Sequence, residues 1–97
     1  MEITWHSDAR QDLQQFDSET QTRLIDNVGQ FEEKPLGENT SIVNKQGLEA
    51  YRLKLKNDDL DHRVFFIFDG NRITIIGVLH RDNAYTSESI EELRSRQ

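Results

Sequence analysis

The sequence predicts an α+β domain: a short N-terminal strand and a two-helix hairpin packed on a small, mostly antiparallel sheet, with a short C-terminal helix. Three observations predict it. Apolar residues recur at helical spacing between Ala9 and Phe31. From Tyr51 to His80 they instead alternate, or run together in β-branched and aromatic stretches. A hairpin signal, Asp69-Gly70-Asn71, divides the last two of those stretches. Helices in one block and strands in another are the pattern of a layered α+β fold.

Each element follows from its residues. "EITWH", residues 2–6, alternates as a strand, and Ser7 is placed to cap the next helix. Ala9, Leu13 and Phe16 lie at i, i+4 and i+7 on one helical face. Ser18 and Gln21 have the spacing of a capping box, and Leu24, Ile25, Val28 and Phe31 form the second stripe. Pro35 ends that helix near Lys34. Residues 36–49 hold no sustained period and read as a loop, with at most a helical turn or a bridge at Ile42–Val43. "YRLKLK", residues 51–56, predicts a strand with Tyr51, Leu53 and Leu55 on one face and Arg52, Lys54 and Lys56 on the other. "RVFFIF", 63–68, is apolar on both faces and suits a central strand; "RITIIGVLH", 72–80, is the last strand. Ser87 to Arg96 reads as a short helix with Ile90 and Leu93 on one side. One face of the sheet takes the helix hairpin, so the other is expected to be wet or used.

Composition bounds the function. Ninety-seven residues make one domain, 1–97. The absence of cysteine excludes disulfides and thiolate chemistry and fits a reducing compartment. No apolar run approaches the ~20 residues of a membrane span, and the first ten residues lack the pattern of a secretion signal, so no membrane partner and a cytoplasmic location are expected. Formal net charge is -6, yet the charge is uneven: residues 1–49 hold ten acids against four bases, whereas residues 50–85 hold six bases against five acids. His6, His62 and His80 do not have metal-ligand spacing, and no Gly-rich phosphate loop occurs. No metal and no cofactor are expected.

The bases of the second half are the candidate site. Arg52, Lys54 and Lys56 project from one strand, Arg63 opens the next, Arg81 follows the last, and Tyr85 comes four residues later. Taken singly, each suits a solvated surface or a local ion pair. Brought together on neighbouring strands they would repel one another unless an anion were bound. A phosphodiester backbone is such an anion, because a guanidinium grips phosphate with two donors, and a tyrosine can stack on an unpaired base.

The runs "EITWHSDARQDLQQFDSETQTRLIDNV", "KPLGEN" (34–39), "GLEAYRLKL" (47–55), "HRVFFIF" (62–68) and "VLHRDNAY" (78–85) resemble the RelE/ParE toxin superfamily over about residues 2–93. The resemblance implies a RelE-like fold and the toxin of a type II toxin–antitoxin pair. In the RelE branch such toxins cut mRNA in the ribosomal A site without a metal; in the ParE branch they poison DNA gyrase and lack the RNA-cutting residues. Members that have lost catalysis are a further alternative. For the RelE type, the resemblance assigns catalysis to Lys54, Arg63, Arg81 and Tyr85, and RNA binding to Arg52, with Lys56 and His80 beside it. Arg52 stands where the family has a lysine; it keeps the charge but does not deprotonate. The implied reaction is attack of a 2′-hydroxyl on the adjacent phosphate. Lys54, crowded by Arg52 and Lys56, is the candidate base; Arg63 would hold the phosphate oxygens, Arg81 the leaving oxygen, and Tyr85 the base, with His80 as an alternative acid. Implied partners are a cognate antitoxin, mRNA and the ribosome. The antitoxin is expected to displace the 87–96 helix at little cost, since only Ile90 and Leu93 anchor it.

Overall fold

A computed structural model describes residues 2–29, 40–55 and 60–97. Its elements are β1 (Glu2–Trp5), α1 (Ser7–Gln14), α2 (Ser18–Gly29), β2 (Thr40–Lys45), β3 (Leu48–Lys54), β4 (His62–Phe68), β5 (Arg72–His80) and α3 (Ser87–Ser95). The five strands form one sheet in the order β1-β5-β4-β3-β2. β1 runs parallel to β5, and the other three pairings are antiparallel. This is the expected α+β architecture with one strand added.

The added strand is β2, which replaces the loop expected over residues 40–45. It pairs with β3 from Thr40↔Leu53 to Lys45↔Leu48. The turn between them is two residues long, and both, Gln46 (φ 53°) and Gly47 (φ 85°), take positive φ. That geometry matches the right-handed twist of a tight hairpin. The helix starts also differ from expectation. His6, not Ser7, caps α1, its Nδ1 accepting from the Asp8 amide. At α2 the capping acceptor is Asp17, whose carboxylate takes the Thr20 amide at 2.7 Å, while Gln21 donates to the Phe16 carbonyl. Expectations for Phe31, Lys34 and Pro35 lie outside the described residues.

Alternation along the strands divides the interior in two. Ala9 and Leu13 of α1 and Leu24 and Val28 of α2 pack with Val64, Phe66, Ile73 and Ile75 on one face. Phe65 and Ile76 point to the other face, where Ile90 and Leu93 of α3 meet them with Val43, Leu48 and Ala50. The second face is therefore partly roofed by α3. Gly77 makes that close approach possible: a Cβ there would collide with Leu93 Cδ2.

α3 is held by more than its two apolar residues. Arg96 Nη1 binds Asp12 Oδ2 at 2.8 Å and the Ile76 carbonyl at 2.9 Å, and the same Asp12 oxygen accepts the Val78 amide at 3.1 Å. Both side chains are nearly sealed from solvent, at 7 % and 10 % exposure. β4 and β5 slip register at Phe65/Phe66, and β1 stops opposite Ile75. The Asp12–Arg96 pair thus satisfies backbone groups beside an irregular stretch of sheet. Gln97 bonds the amide and carbonyl of Glu49, and Arg94 donates to the Gln46 carbonyl. The expectation of a lightly attached helix is corrected by these bonds, which tie the helix end to residues 20 to 84 positions away.

Candidate nucleic-acid interface

The site is built on the α3 face of β3 and β4. Period-two alternation puts Ala50, Arg52 and Lys54 on that face together, with Phe65 opposite Arg52 and Arg63 opposite Lys54. Arg63 in turn pairs with Leu79 of β5. Past the end of β5 the Arg81 amide still donates to the Asp61 carbonyl at 2.8 Å. Alternation carried one step further places Arg81 on the side of Leu79 and Arg63. Tyr85 lies in the turn before α3, 38 % exposed, with its ring edge-on to Phe65 at 6.2 Å.

The structure thus gathers Arg52, Lys54 and Arg63 from adjacent strands, with Tyr85 beside Arg52 and Arg81 at the rim. Arg52 Nη1 donates to the Tyr85 hydroxyl, and Nη2 to Ser41 Oγ at 3.1 Å. Its Cζ lies 5.9 Å from the Tyr85 ring centroid. Lys45 Nζ lies 6.0 Å from the same centroid. Sequence reasoning missed Lys45 and Ser41, because both belong to the strand read as a loop.

Arg63 is nine-tenths buried. Its Nη1 donates to the His62 carbonyl at 3.2 Å, and its Nε has no partner. Among the described residues no carboxylate lies within ion-pair distance of Arg52, Lys54 or Arg63. A buried guanidinium without a counter-ion is costly. Arg81 differs: its exposed side chain is 3.9 Å from Asp61 and 3.8 Å from Asp82, both long contacts in water.

One expected participant stands elsewhere. His80 faces the helix hairpin, its ring 5.4 Å from His62, which packs edge-on to Phe16 at 4.6 Å. Burial lowers the His62 pKa from its ordinary value, and the neighbouring His80 adds to the effect. Lys56 lies outside the described residues.

No curated protein matches the sequence. Similar solved structures are the RelBE2 toxin–antitoxin complex of Mycobacterium tuberculosis (16 % identity, 82 % of this chain and 96 % of that one, TM-score 0.70) and the archaeal RelE–RelB complex of Pyrococcus horikoshii (20 %, 86 % and 97 %, 0.64). A third is a double arginine-to-alanine mutant of the Escherichia coli toxin RelE in the free state (18 %, 98 % and 95 %, 0.68). At these identities the likeness is one of fold. The family model for the ParE toxin of type II toxin–antitoxin systems matches residues 3–85. With most of its length matched by that model and its fold shared with RelE toxins, the chain belongs to the RelE/ParE superfamily of type II toxins.

Proposed function

We propose that this toxin is a ribosome-dependent endoribonuclease. The observation that carries the reading is the group Arg52, Lys54 and Arg63, which meets on one face with no described carboxylate to neutralise it. A single phosphodiester would supply the missing negative charge.

The chemistry follows from the positions. Lys54 takes the proton of the RNA 2′-hydroxyl, and the 2′-oxygen bonds to the adjacent phosphorus. The P–O5′ bond breaks, and the 5′-oxygen leaves with a proton drawn from solvent beside Arg81. The products are a 2′,3′-cyclic phosphate and a free 5′-hydroxyl. Arg63, held at the floor of the site by its bond to the His62 carbonyl, faces the non-bridging oxygens as their charge grows. Fixed donors of this kind need no reorganisation during the reaction. Tyr85 sits where it would border the nucleotide at the cleaved bond. The partner is a cognate antitoxin, as in the RelBE2 and RelE–RelB complexes, and both toxin and target are cytoplasmic. No helix among the described residues is long and apolar enough to cross a membrane.

The matching family model, named for ParE, favours a second reading, in which the toxin acts on DNA gyrase without cutting RNA. Primer extension on a translated message, with purified toxin and ribosomes, separates the two. New 5′ ends within codons are expected from the wild type. Arg63→Ala should slow cleavage by about 10²–10³-fold, and Arg81→Ala should relieve growth arrest on induction. Gyrase-linked DNA breaks with an intact message would overturn the nuclease reading.

A further inference from the structure

Arg52 does not simply point at solvent. Its two Nη atoms are divided between two hydroxyls, one on Ser41 of β2 and one on Tyr85 ahead of α3. Ser41 is the direct cross-strand neighbour of Arg52. The Arg52 Nε is buried without a partner, so among the described residues these two hydroxyls are the hydrogen-bond acceptors that set the plane of the guanidinium. We infer that Ser41 and Arg52 form a positioning relay that sets the tilt of Tyr85, with Ser41 acting only through Arg52.

The physical basis is the shape of the guanidinium. It is planar, and its donors diverge at fixed angles. Anchoring one Nη on a strand residue therefore orients the other. A strand hydroxyl is a firm anchor because its backbone is held by cross-strand pairing, from Thr40↔Leu53 to Lys45↔Leu48. Tyr85 needs such help. It lies in a turn, its side chain is over a third exposed, and its apolar neighbour Phe65 meets it edge-on at 6.2 Å. Without Arg52 the ring could rotate about its side-chain bonds. Each Nη retains a second N–H, so the charge of Arg52 remains available to a phosphate while its plane is fixed. An ammonium at this position would be a point charge and could not transmit orientation in this way.

The inference rests on the nuclease reading for its kinetic consequence, and on the structure alone for its geometric one. Two measurements keep these apart. In free protein without RNA or ribosomes, NMR order parameters of the Arg52 Nε–H bond and the Tyr85 ring are expected to fall in Ser41→Ala. They are expected to recover in Ser41→Thr, which restores the hydroxyl on a strand-compatible residue. Arg52→Lys should loosen the Tyr85 ring as Ser41→Ala does. Arg52 and Tyr85 equally rigid in Ser41→Ala would overturn the relay, whether or not the protein cuts RNA. In ribosome-dependent cleavage, Ser41→Ala is expected to lower kcat about tenfold with KM unchanged, the scale of one lost hydrogen bond to a charged group. In a Tyr85→Phe background the same change should cost less than about twofold, because the hydroxyl it orients is gone. Independent, multiplying effects of the two substitutions would overturn the relay. A wild type that fails to cleave at all would instead defeat the nuclease reading, with the order parameters still deciding the geometry.

Discussion

His62 is a residue whose ionisation is coupled to the fold. It opens β4, packs against Phe16 and His80, and lends its carbonyl to Arg63. Its Nδ1 is buried without a partner. The groups around it are mixed: burial, the largest influence, acts with His80 and Arg63 against its charged form, while Asp61 and Asp17 favour that form, and the net effect is a lowered pKa. Its pKa in the folded chain therefore lies below the unfolded value of about 6.5. Between those two values the unfolded chain binds the extra proton, so stability falls as pH drops below about 6.5 and is level above it. Urea unfolding between pH 7.5 and 5.5 should show this decline, and His62→Gln should flatten it. An unchanged slope in the variant would assign the decline to other groups.

At the scale of elements, α3 is the part most dependent on distant partners. Arg96 is driven toward the neutral form by burial, yet Asp12, Glu92 and Asp8 more than compensate, and its pKa is raised. Removing one member of a buried pair leaves the other uncompensated, at a cost of about 3–5 kcal/mol. Asp12→Ala is expected to destabilise the domain on that scale and to raise amide exchange in α3. A loss under about 1 kcal/mol, with α3 still protected, would show that Ile90 and Leu93 suffice. None of this was legible in the sequence. The spacing of Ile90 and Leu93 revealed a helix, but nothing local joins Arg96 to Asp12, 84 residues away. β2 escaped for a related reason. "TSIVNK" has two adjacent apolar residues rather than an alternation, and its strand character comes from pairing with β3. β4 and β5, by contrast, were legible nearly to the residue, because a central strand is apolar on both faces whatever its neighbours. The cation row of β3 was legible too, since alternation alone puts Arg52 and Lys54 together; the Ser41 and Lys45 contributions depended on the unseen hairpin.

At the scale of the whole molecule, charge is unevenly distributed along the chain, with the acids concentrated in residues 1–49 and the bases in residues 50–85. Formal net charge is -6 and the sequence pI about 4.9, but the face bearing Arg52, Lys54 and Arg63 has no described carboxylate paired to those groups. Screening confines each region to its own neighbourhood, about 8 Å at physiological salt. If the Arg52, Lys54 and Arg63 group meets one phosphodiester, the slope of log affinity on log salt for single-stranded RNA should be about -0.7, steeper by a similar step for each further phosphate contacted. Fluorescence anisotropy across a salt series measures it, and a slope near zero would remove the phosphate contacts from the reading.

The Arg52, Lys54 and Arg63 group, with no described carboxylate paired to it, also bears on encounter. On the nuclease reading, a polyanion approaching this protein would be repelled by its acidic total and attracted at the Arg52, Lys54 and Arg63 face. Productive collisions would then be rarer than for a uniformly basic toxin, but better oriented. Stray nucleic acid, which a basic coat would collect indiscriminately, finds little to hold.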